Sequence, residues 1–355
     1  MLSKEQAKKL KILMVVEQCN PDWVSVPLVG YKFYREVNQL AEVTLVTHAR
    51  NRKAFANCPQ HHPVIFIEES QLNILYHKLA VRIAAKGRKD LAKGVNWPLY
   101  HLLAYPVYAE FNYKVYQRFK SEILSGHYDI VHALTPIMPR YPFKVCQLCK
   151  QTPFILGPVN GGIPFPAGFA EKAKQENSYL NFLRAVGRYL IPGYVATYKR
   201  ADKVLSGSSY TLSLLKKLFR LPEQKMALFY ENGIEADTLT TQPKSSKEGD
   251  EQINLLFVGR LVPYKCADVV IRAVNQLKAS VKYRAQLTIV GDGSERETLK
   301  ALVQSLGLDK QVQFTGFVPQ ATVSQYYGAA DIFCFPSIRE FGGAVVLEAM
   351  AHGLP

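Results

Sequence analysis

No stretch of this sequence reaches the roughly 18 uninterrupted apolar residues that a membrane-crossing helix needs. The run Ile12–Val16 near the start is also too short for a secretory leader, despite the basic residues before it. The expectation is a chain made and kept in the cytosol. Cysteine is sparse: Cys19, Cys58, Cys146, Cys149, Cys266 and Cys334 are scattered among 355 residues, which excludes a disulfide framework. Cys146 and Cys149 in "KVCQLCKQ" have redox or zinc spacing. They lack a second pair or a His-x-x-x-His partner and fall on a helical stretch, so they read as packing thiols. There is no low-complexity tract, no repeat of fixed period, and no pair of aspartates spaced Asp-x-Asp.

Acidic residues are in deficit, 29 against 44 lysines and arginines, giving a net charge of +15. Residues 251–355 hold 10 basic and 9 acidic side chains, leaving 34 against 20 in residues 1–250. The first part of the chain therefore favours a polyanionic partner: a membrane, a nucleic acid or an anionic substrate. A basic nucleic-acid-binding protein is the remote reading. No aromatic RNP-like stretch, zinc-finger spacing or recognition helix supports it, and Glu340 and Glu348 would repel phosphates.

What the sequence does have is alternation. Short β-rich runs and helical stretches follow one another throughout, the pattern of βαβ units on a parallel sheet. Strands are expected at "KILMVV", "EVTLVTH", "VIFIE", "DIVHAL", "PFILG", "DKVLSG" and "MALFY", with a helix over Tyr31–Leu40 and a long helical excursion from His77 to Ile123. Residues 236–252 are polar and aperiodic and read as a connection. After them come strands "INLLFVG", "QLTIVG", "VQFTGF" and "DIFCFPS". Helices are expected over Tyr264–Ala279, Glu295–Leu306 and Gln320–Ala329, with a last one from about Gly343. The fold class is α/β, with two doubly wound domains: residues 1–235, the linker 236–252, and residues 253–355.

In such sheets a ligand sits beyond the C-terminal ends of the strands. Three of those ends stand out. "GRLVPYK" places Gly259, Arg260 and Lys265 after a strand, and two fixed cations there suit a diphosphate. "GDG" (Gly291–Gly293) is a tight turn without the full GxGxxG. In "REFGGAVVLEAMA", Gly342 and Gly343 let a ligand approach the first turn, whose N–H groups attract anions. Glu348 then falls about 7 Å deeper along the helix than its mouth, where Glu340 stands. Two carboxylates and a phosphate seat fit a sugar–diphosphate–nucleoside.

These segments resemble the donor domain of glycosyltransferase family four, the retaining GT-B glycosyltransferases: "FVGRLVPYKCADVVIRAVNQL", "LTIVGDGSERETL", "VQFTGFVP" and "FPSIREFGGAVVLEAMAHGLP". "YDIVHALTP", "PFILGPVNGGIPFPAGF", "ADKVLSGSSYTLSLL" and "ENGI" are similar to a subgroup of it. The resemblance implies two Rossmann-like domains facing across a cleft, the second incomplete because "GLP" ordinarily leads into further α/β units. It implies transfer of a sugar from a nucleotide diphosphate sugar to a hydroxyl of a glycan or lipid-linked acceptor, with retained configuration and with no metal or other cofactor. Glu340 and Glu348 meet the E-x(7)-E motif. Arg260 and Lys265 would stabilise the departing diphosphate, Glu340 would hold sugar hydroxyls and Glu348 the ribose. Backbone N–H groups of Gly342, Gly343 and Ala344 would meet phosphate or sugar. A sugar phosphorylase or a nucleotide-sugar epimerase of the same fold is the alternative.

In the first half the resemblance places His132, Gly30, Asn160 and Gly161 on the sugar or acceptor side. The chain departs from the family at three places: Leu134 replaces a second histidine, Gly30 stands without a paired glycine, and Cys266 replaces the glycine after the lysine. The segment 76–94 mixes Lys78, Arg82, Lys86, Arg88, Lys89 and Lys93 with apolar residues, as a segment lying on an anionic membrane would. The expected location is the cytoplasm, peripheral on the inner face of the membrane.

Overall fold

The computed structural model describes residues 9–56, 58, 63–85, 97–134, 141–176, 178–235, 238–239 and 252–355. Most of the expected linker and residues 86–94 of the basic segment lie outside the described residues. In chain order the elements begin with β1 (Lys11–Val15), α1 (Val26–Leu40), β2 (Glu42–His48), β3 (Val64–Ile67), α2 (Gln71–Ala84), α3 (Trp97–Leu103) and α4 (Tyr105–Leu124). There follow β4 (Ile130–Ala133), β5 (Phe154–Val159), α5 (Ala170–Gln175), α6 (Phe182–Leu190), α7 (Tyr194–Arg200), β6 (Lys203–Ser206), α8 (Ser209–Phe219) and β7 (Met226–Leu228). The remainder comprises β8 (Ile253–Val258), α9 (Ala267–Gln276), α10 (Ala279–Lys282), β9 (Ala285–Val290), α11 (Arg296–Ser305), β10 (Val312–Gly316), α12 (Gln320–Ala329), β11 (Ile332–Phe333) and α13 (Ala344–Ala351).

Contacts gather the described residues into two compact units: those within 1–83, 97–163 and 180–231 in the first, and those within 84–96, 164–179 and 232–355 in the second. The segment carrying α5 thus counts with the second unit, although it follows β5 in sequence. The first unit is built on a seven-stranded sheet in the order β3-β2-β1-β4-β5-β6-β7, every pair parallel. Strand alternation gives β1 two apolar faces. Leu13 and Val15 join Phe111 and Phe119 of α4 in one core, while Ile12 and Met14 join Tyr34 of α1 and Phe55 in the other.

The second unit holds a parallel sheet in the order β10-β9-β8-β11. β8 divides its side chains in the same way: Phe257 packs with Ile271 of α9 and Leu299 of α11, and Leu256 and Val258 pack with Tyr327 and Ala349. Both units are therefore mixed α/β with helix-covered parallel sheets, as expected.

Several boundaries differ from expectation. α1 begins at Val26 rather than Tyr31, because Pro27 can occupy a first helical turn where no N–H is required. The helix expected over Tyr264–Ala279 is broken into a 3-10 turn at Pro263–Lys265, then α9 and α10. The break falls at Cys266, which adopts a left-handed conformation with φ +55°. β11 is only two residues long, although Cys334 still donates to the Leu256 carbonyl at 2.7 Å; Pro336, two residues on, has no N–H to extend the ladder.

Candidate functional site

The second unit grows outward from β8 through β9 to β10 and then returns to the other side of β8 as β11. The strand order therefore reverses between β8 and β11, the place where doubly wound sheets open a crevice at their C-terminal ends. The two loops leaving those ends are stitched together: Ile338 donates its N–H to the Tyr264 carbonyl at 3.1 Å. One loop carries Arg260 and Lys265, and the other carries Glu340.

Arg260 is exposed and donates from its guanidinium to the Tyr264 hydroxyl at 2.7 Å. Lys265 is 8% exposed and pairs through Nζ with the Glu340 carboxylate. Its ammonium also stands 4.8 Å from the centre of the Phe335 ring. Burial pushes the Lys265 pKa below its usual value, and Glu340 opposes that shift by favouring the charged form. The other Glu340 oxygen accepts from the Phe341 N–H at 3.1 Å, which holds the carboxylate in the loop.

The "GDG" turn acts on this loop from behind. Leu261 donates to the Asp292 carbonyl at 3.0 Å, and Glu295 donates back to the Leu261 carbonyl at 2.9 Å. A Cβ on Gly291 would strike the Gly259 carbonyl, and one on Gly293 would strike the backbone of Leu261. Both glycines are required by close backbone approach.

At the start of α13, Gly343 has φ +59°, a left-handed conformation that glycine adopts without penalty. No side chain caps this helix end. The Val346 N–H donates to the Gly343 carbonyl at 2.9 Å, and the N–H groups of Ala344 and Val345 ahead of it have no acceptor one turn back and are a seat for an anion. Glu348 lies four residues beyond Ala344, with one oxygen accepting from Gln320 at 3.0 Å and the other from the Tyr327 hydroxyl at 2.9 Å. The structure thus brings Gly259, Arg260, Lys265, Glu340, Gly342, Gly343 and Ala344 into the joined loops and the helix mouth. Glu348 sits deeper, oriented by α12. Cys266 keeps the positive φ for which a glycine is expected, and its thiol lies 3.5 Å from the Pro263 carbonyl.

The first-unit residues are placed separately. His132 near the end of β4 is buried and bonds through Nε2 to the Gly157 carbonyl at 2.6 Å. A carbonyl only accepts, so Nε2 carries the proton. Burial lowers the His132 pKa and favours the neutral ring, with the carbonyl acting in the opposite direction. Asn160 is 2% exposed and accepts at Oδ1 from Ser208 and Thr211, both at 3.1 Å. Gly161 donates to Thr211 Oγ1 at 3.0 Å. Gly30 is buried in α1, where a Cβ would strike the Gln18 carbonyl and Val16; its glycine is accounted for by close packing of α1 on the loop that follows β1.

Sequence reasoning missed several polar and charged groups. In the first unit Glu17, His48, Arg50 and Glu69 gather beyond the ends of β1, β2 and β3. His48 Nε2 lies 3.2 Å and Arg50 lies 2.8 Å from Glu69, which is pulled down to about 2, chiefly by the bond from His48. In the second unit the omissions are Tyr264, Arg339, Tyr327 and Glu176. The adjacency of Arg339 to Glu340 was the signal available for it. Among the described residues no group of three or more His, Cys, Asp or Glu is placed to hold a metal ion.

Comparison with known proteins bears on residues 239–355, which match the family model for glycosyl transferases group 1. An uncharacterized glycosyltransferase of Methanocaldococcus jannaschii is 35% identical over 171 residues, covering 46% of this chain and 43% of that protein. The GDP-mannose-dependent alpha-(1-6)-phosphatidylinositol monomannoside mannosyltransferase of Mycolicibacterium smegmatis is 33% identical over 136 residues, 35% of each chain. Each match therefore spans less than half of the curated relative. The solved structure of Anabaena HepE in complex with UDP aligns over 98% of this chain and 79% of its own, with a TM-score of 0.59 at 18% identity. The two sheet-bearing units thus carry the fold of solved GT-B glycosyltransferases, and residues 239–355 match the group 1 family of those enzymes.

Proposed function

We propose that this chain is a retaining glycosyltransferase of family four that moves a sugar from a nucleotide diphosphate sugar to a hydroxyl of a glycan or lipid-linked acceptor. The observation that carries the reading is the convergence of Arg260, Lys265, Glu340 and the uncapped start of α13 where the strand order reverses. Departure of a diphosphate builds negative charge on the leaving oxygen, and fixed cations with free N–H donors stabilise that charge where it develops. Arg260 and Lys265 would take the diphosphate with the first turn of α13. Glu340 holds Lys265 in place and offers its carboxylate to sugar hydroxyls, and Glu348 takes ribose hydroxyls deeper along the helix. The leaving phosphate oxygen accepts the proton of the acceptor hydroxyl as the bond from sugar C1 to the diphosphate oxygen breaks and the acceptor oxygen bonds C1 on the same face. No protein nucleophile is required, and none of the steps assigns work to a metal ion. His132, neutral and tethered to Gly157, is the first-unit group proposed to face sugar or acceptor, with Asn160 and Gly161 shaping the neighbouring strand end.

The acceptor is proposed to be presented at a membrane. α2 bares Leu72, Leu75, Leu79 and Ile83, each at least half exposed, along one helical stripe, with Lys78 and Arg82 beside them. Among the described residues no helix is long and apolar enough to cross a membrane, and a stripe of this kind suits lying on an anionic surface at the cytoplasmic face.

Calorimetric titration of UDP-, GDP- and ADP-sugars, with and without a chelator, tests the donor assignment. Binding of one class that survives chelation and weakens with Lys265→Ala and Glu348→Gln is expected. Failure of all three classes to bind, or binding indifferent to both substitutions, would overturn it.

A further inference from the structure

The site holds a third cation that the Arg260–Lys265 pair does not explain. Arg339 has its guanidinium carbon 4.3 Å from the ring centre of Phe165, 5.1 Å from that of Phe341 and 5.3 Å from that of Tyr264. Its Nε is buried and has no hydrogen-bond partner among the described residues. Tyr264 is the common wall: Arg260 bonds its hydroxyl, and Lys265 Nζ stands 5.7 Å from its ring centre. Three cationic side chains therefore surround one aromatic ring, while Glu340 pairs with only one of them.

Residues 164–176, which belong to the same unit, pack against this cluster. This strap supplies Phe165 beneath Arg339, and its α5 packs on the Pro263–Lys265 turn. Lys172 anchors it to Asp268 at 2.9 Å, at the start of α9. Glu176, just past α5, is half-buried and lies within electrostatic reach of Arg260 and Arg339. Burial raises its pKa and the two guanidinium groups act in the opposite direction.

A guanidinium with a buried, unused donor is costly to keep and is explained when an anionic acceptor supplies the missing bond. Phosphate oxygens are such acceptors. A diphosphate also carries more negative charge than Arg260 and a glutamate-paired Lys265 balance between them. We propose that Arg339 is a third phosphate-binding cation of this site. The inference rests on the reading of this crevice as the diphosphate seat.

Inorganic pyrophosphate and UDP are the probes, titrated calorimetrically against the full chain at two salt concentrations, with thermal unfolding recorded for each variant. Arg339→Gln should weaken both ligands ~10- to 100-fold and flatten the salt dependence, as expected for loss of a charge-assisted contact. Arg339→Met keeps an apolar stem between the rings and separates packing from charge; it should lose affinity like the glutamine variant. If pyrophosphate and UDP both fail to bind the unsubstituted chain, the diphosphate reading falls and this inference with it. If they bind and Arg339→Gln and Arg339→Met match the unsubstituted chain while remaining folded, the inference alone is overturned.

Discussion

The Tyr327 hydroxyl donates to Glu348 at 2.9 Å from across the α12–α13 contact, and burial with the adjacent carboxylate pushes the Tyr327 pKa well up. Glu348 is therefore aimed by a phenol that stays protonated. Tyr327→Phe removes that donor and keeps the ring stacked 5.2 Å from His352. The expected result is a ~3- to 10-fold loss of sugar-nucleotide affinity with a stability cost of about 1 kcal/mol, read by calorimetry and thermal unfolding.

Lys265 and Glu340 form an ion pair with unequal exposure, 10% and 30% for the side chains. Removing the carboxylate leaves a poorly solvated ammonium. Glu340→Gln should therefore destabilise the second unit by about 1–3 kcal/mol, and Lys265→Met should cost less because no buried cation remains. The double substitution is expected to be more stable than Glu340→Gln alone, and a double-mutant cycle by chemical denaturation checks this.

Asn160 is predicted to act through fold stability at least as strongly as through a ligand. Its Oδ1 accepts from Ser208 and Thr211, and Ser208 also caps α8 by accepting from the Thr211 N–H at 3.2 Å. Asn160→Ala should lower stability by about 1–3 kcal/mol, while Ser208→Ala should cost about 1 kcal/mol for the lost cap. Both are measured by denaturant unfolding.

The charged cluster beyond β1–β3 makes stability depend on acid in two opposite ways. Glu69 is held near 2, below its ordinary 4.5, by His48, Arg50 and nearby His77, so its contribution is complete above about pH 4.5 and lost as pH falls toward 2. Buried Glu17 is raised above 4.5, so its cost is present at neutral pH and relieved as pH falls through its folded value toward 4.5. Glu69→Gln should flatten the acid limb below pH 4.5, and Glu17→Gln should remove the gain above it. Melting temperatures from pH 2 to 8 distinguish the two.

The exposed stripe on α2 predicts surface association. Leu75 and Leu79 are 67% and 54% exposed, so Leu75→Asp with Leu79→Asp should leave unfolding within about 0.5 kcal/mol of the original. The same pair should abolish sedimentation with vesicles containing anionic phosphatidylserine. Neutral phosphatidylcholine vesicles should bind weakly before and after substitution.

Much of the fold was legible because the signals were local. "EVTLVTH" became β2 with the same ends, and Gln320–Ala329 became α12 without change. The site loops were legible because Arg260, Lys265 and Glu340 follow strands within a few residues. What escaped notice depends on long-range encounters. Phe165 meets Arg339 across 174 positions of chain, and Glu17, His48 and Glu69 come from three different strand ends. Gly30 shows the converse: its sequence setting resembled a ligand loop, while its backbone is pressed against Gln18. Composition and periodicity carry no information about which distant backbone will approach a glycine.

The backbone embrace between Gly291–Gly293 and Gly259–Leu261 makes this site vulnerable from a side that bears no chemistry. A methyl group added to either glycine would act as a wedge, tilting the base on which Arg260 stands. In a saturation scan those two positions should therefore tolerate substitution as poorly as a residue that meets ligand, with hinge-like losses spread over every donor tested.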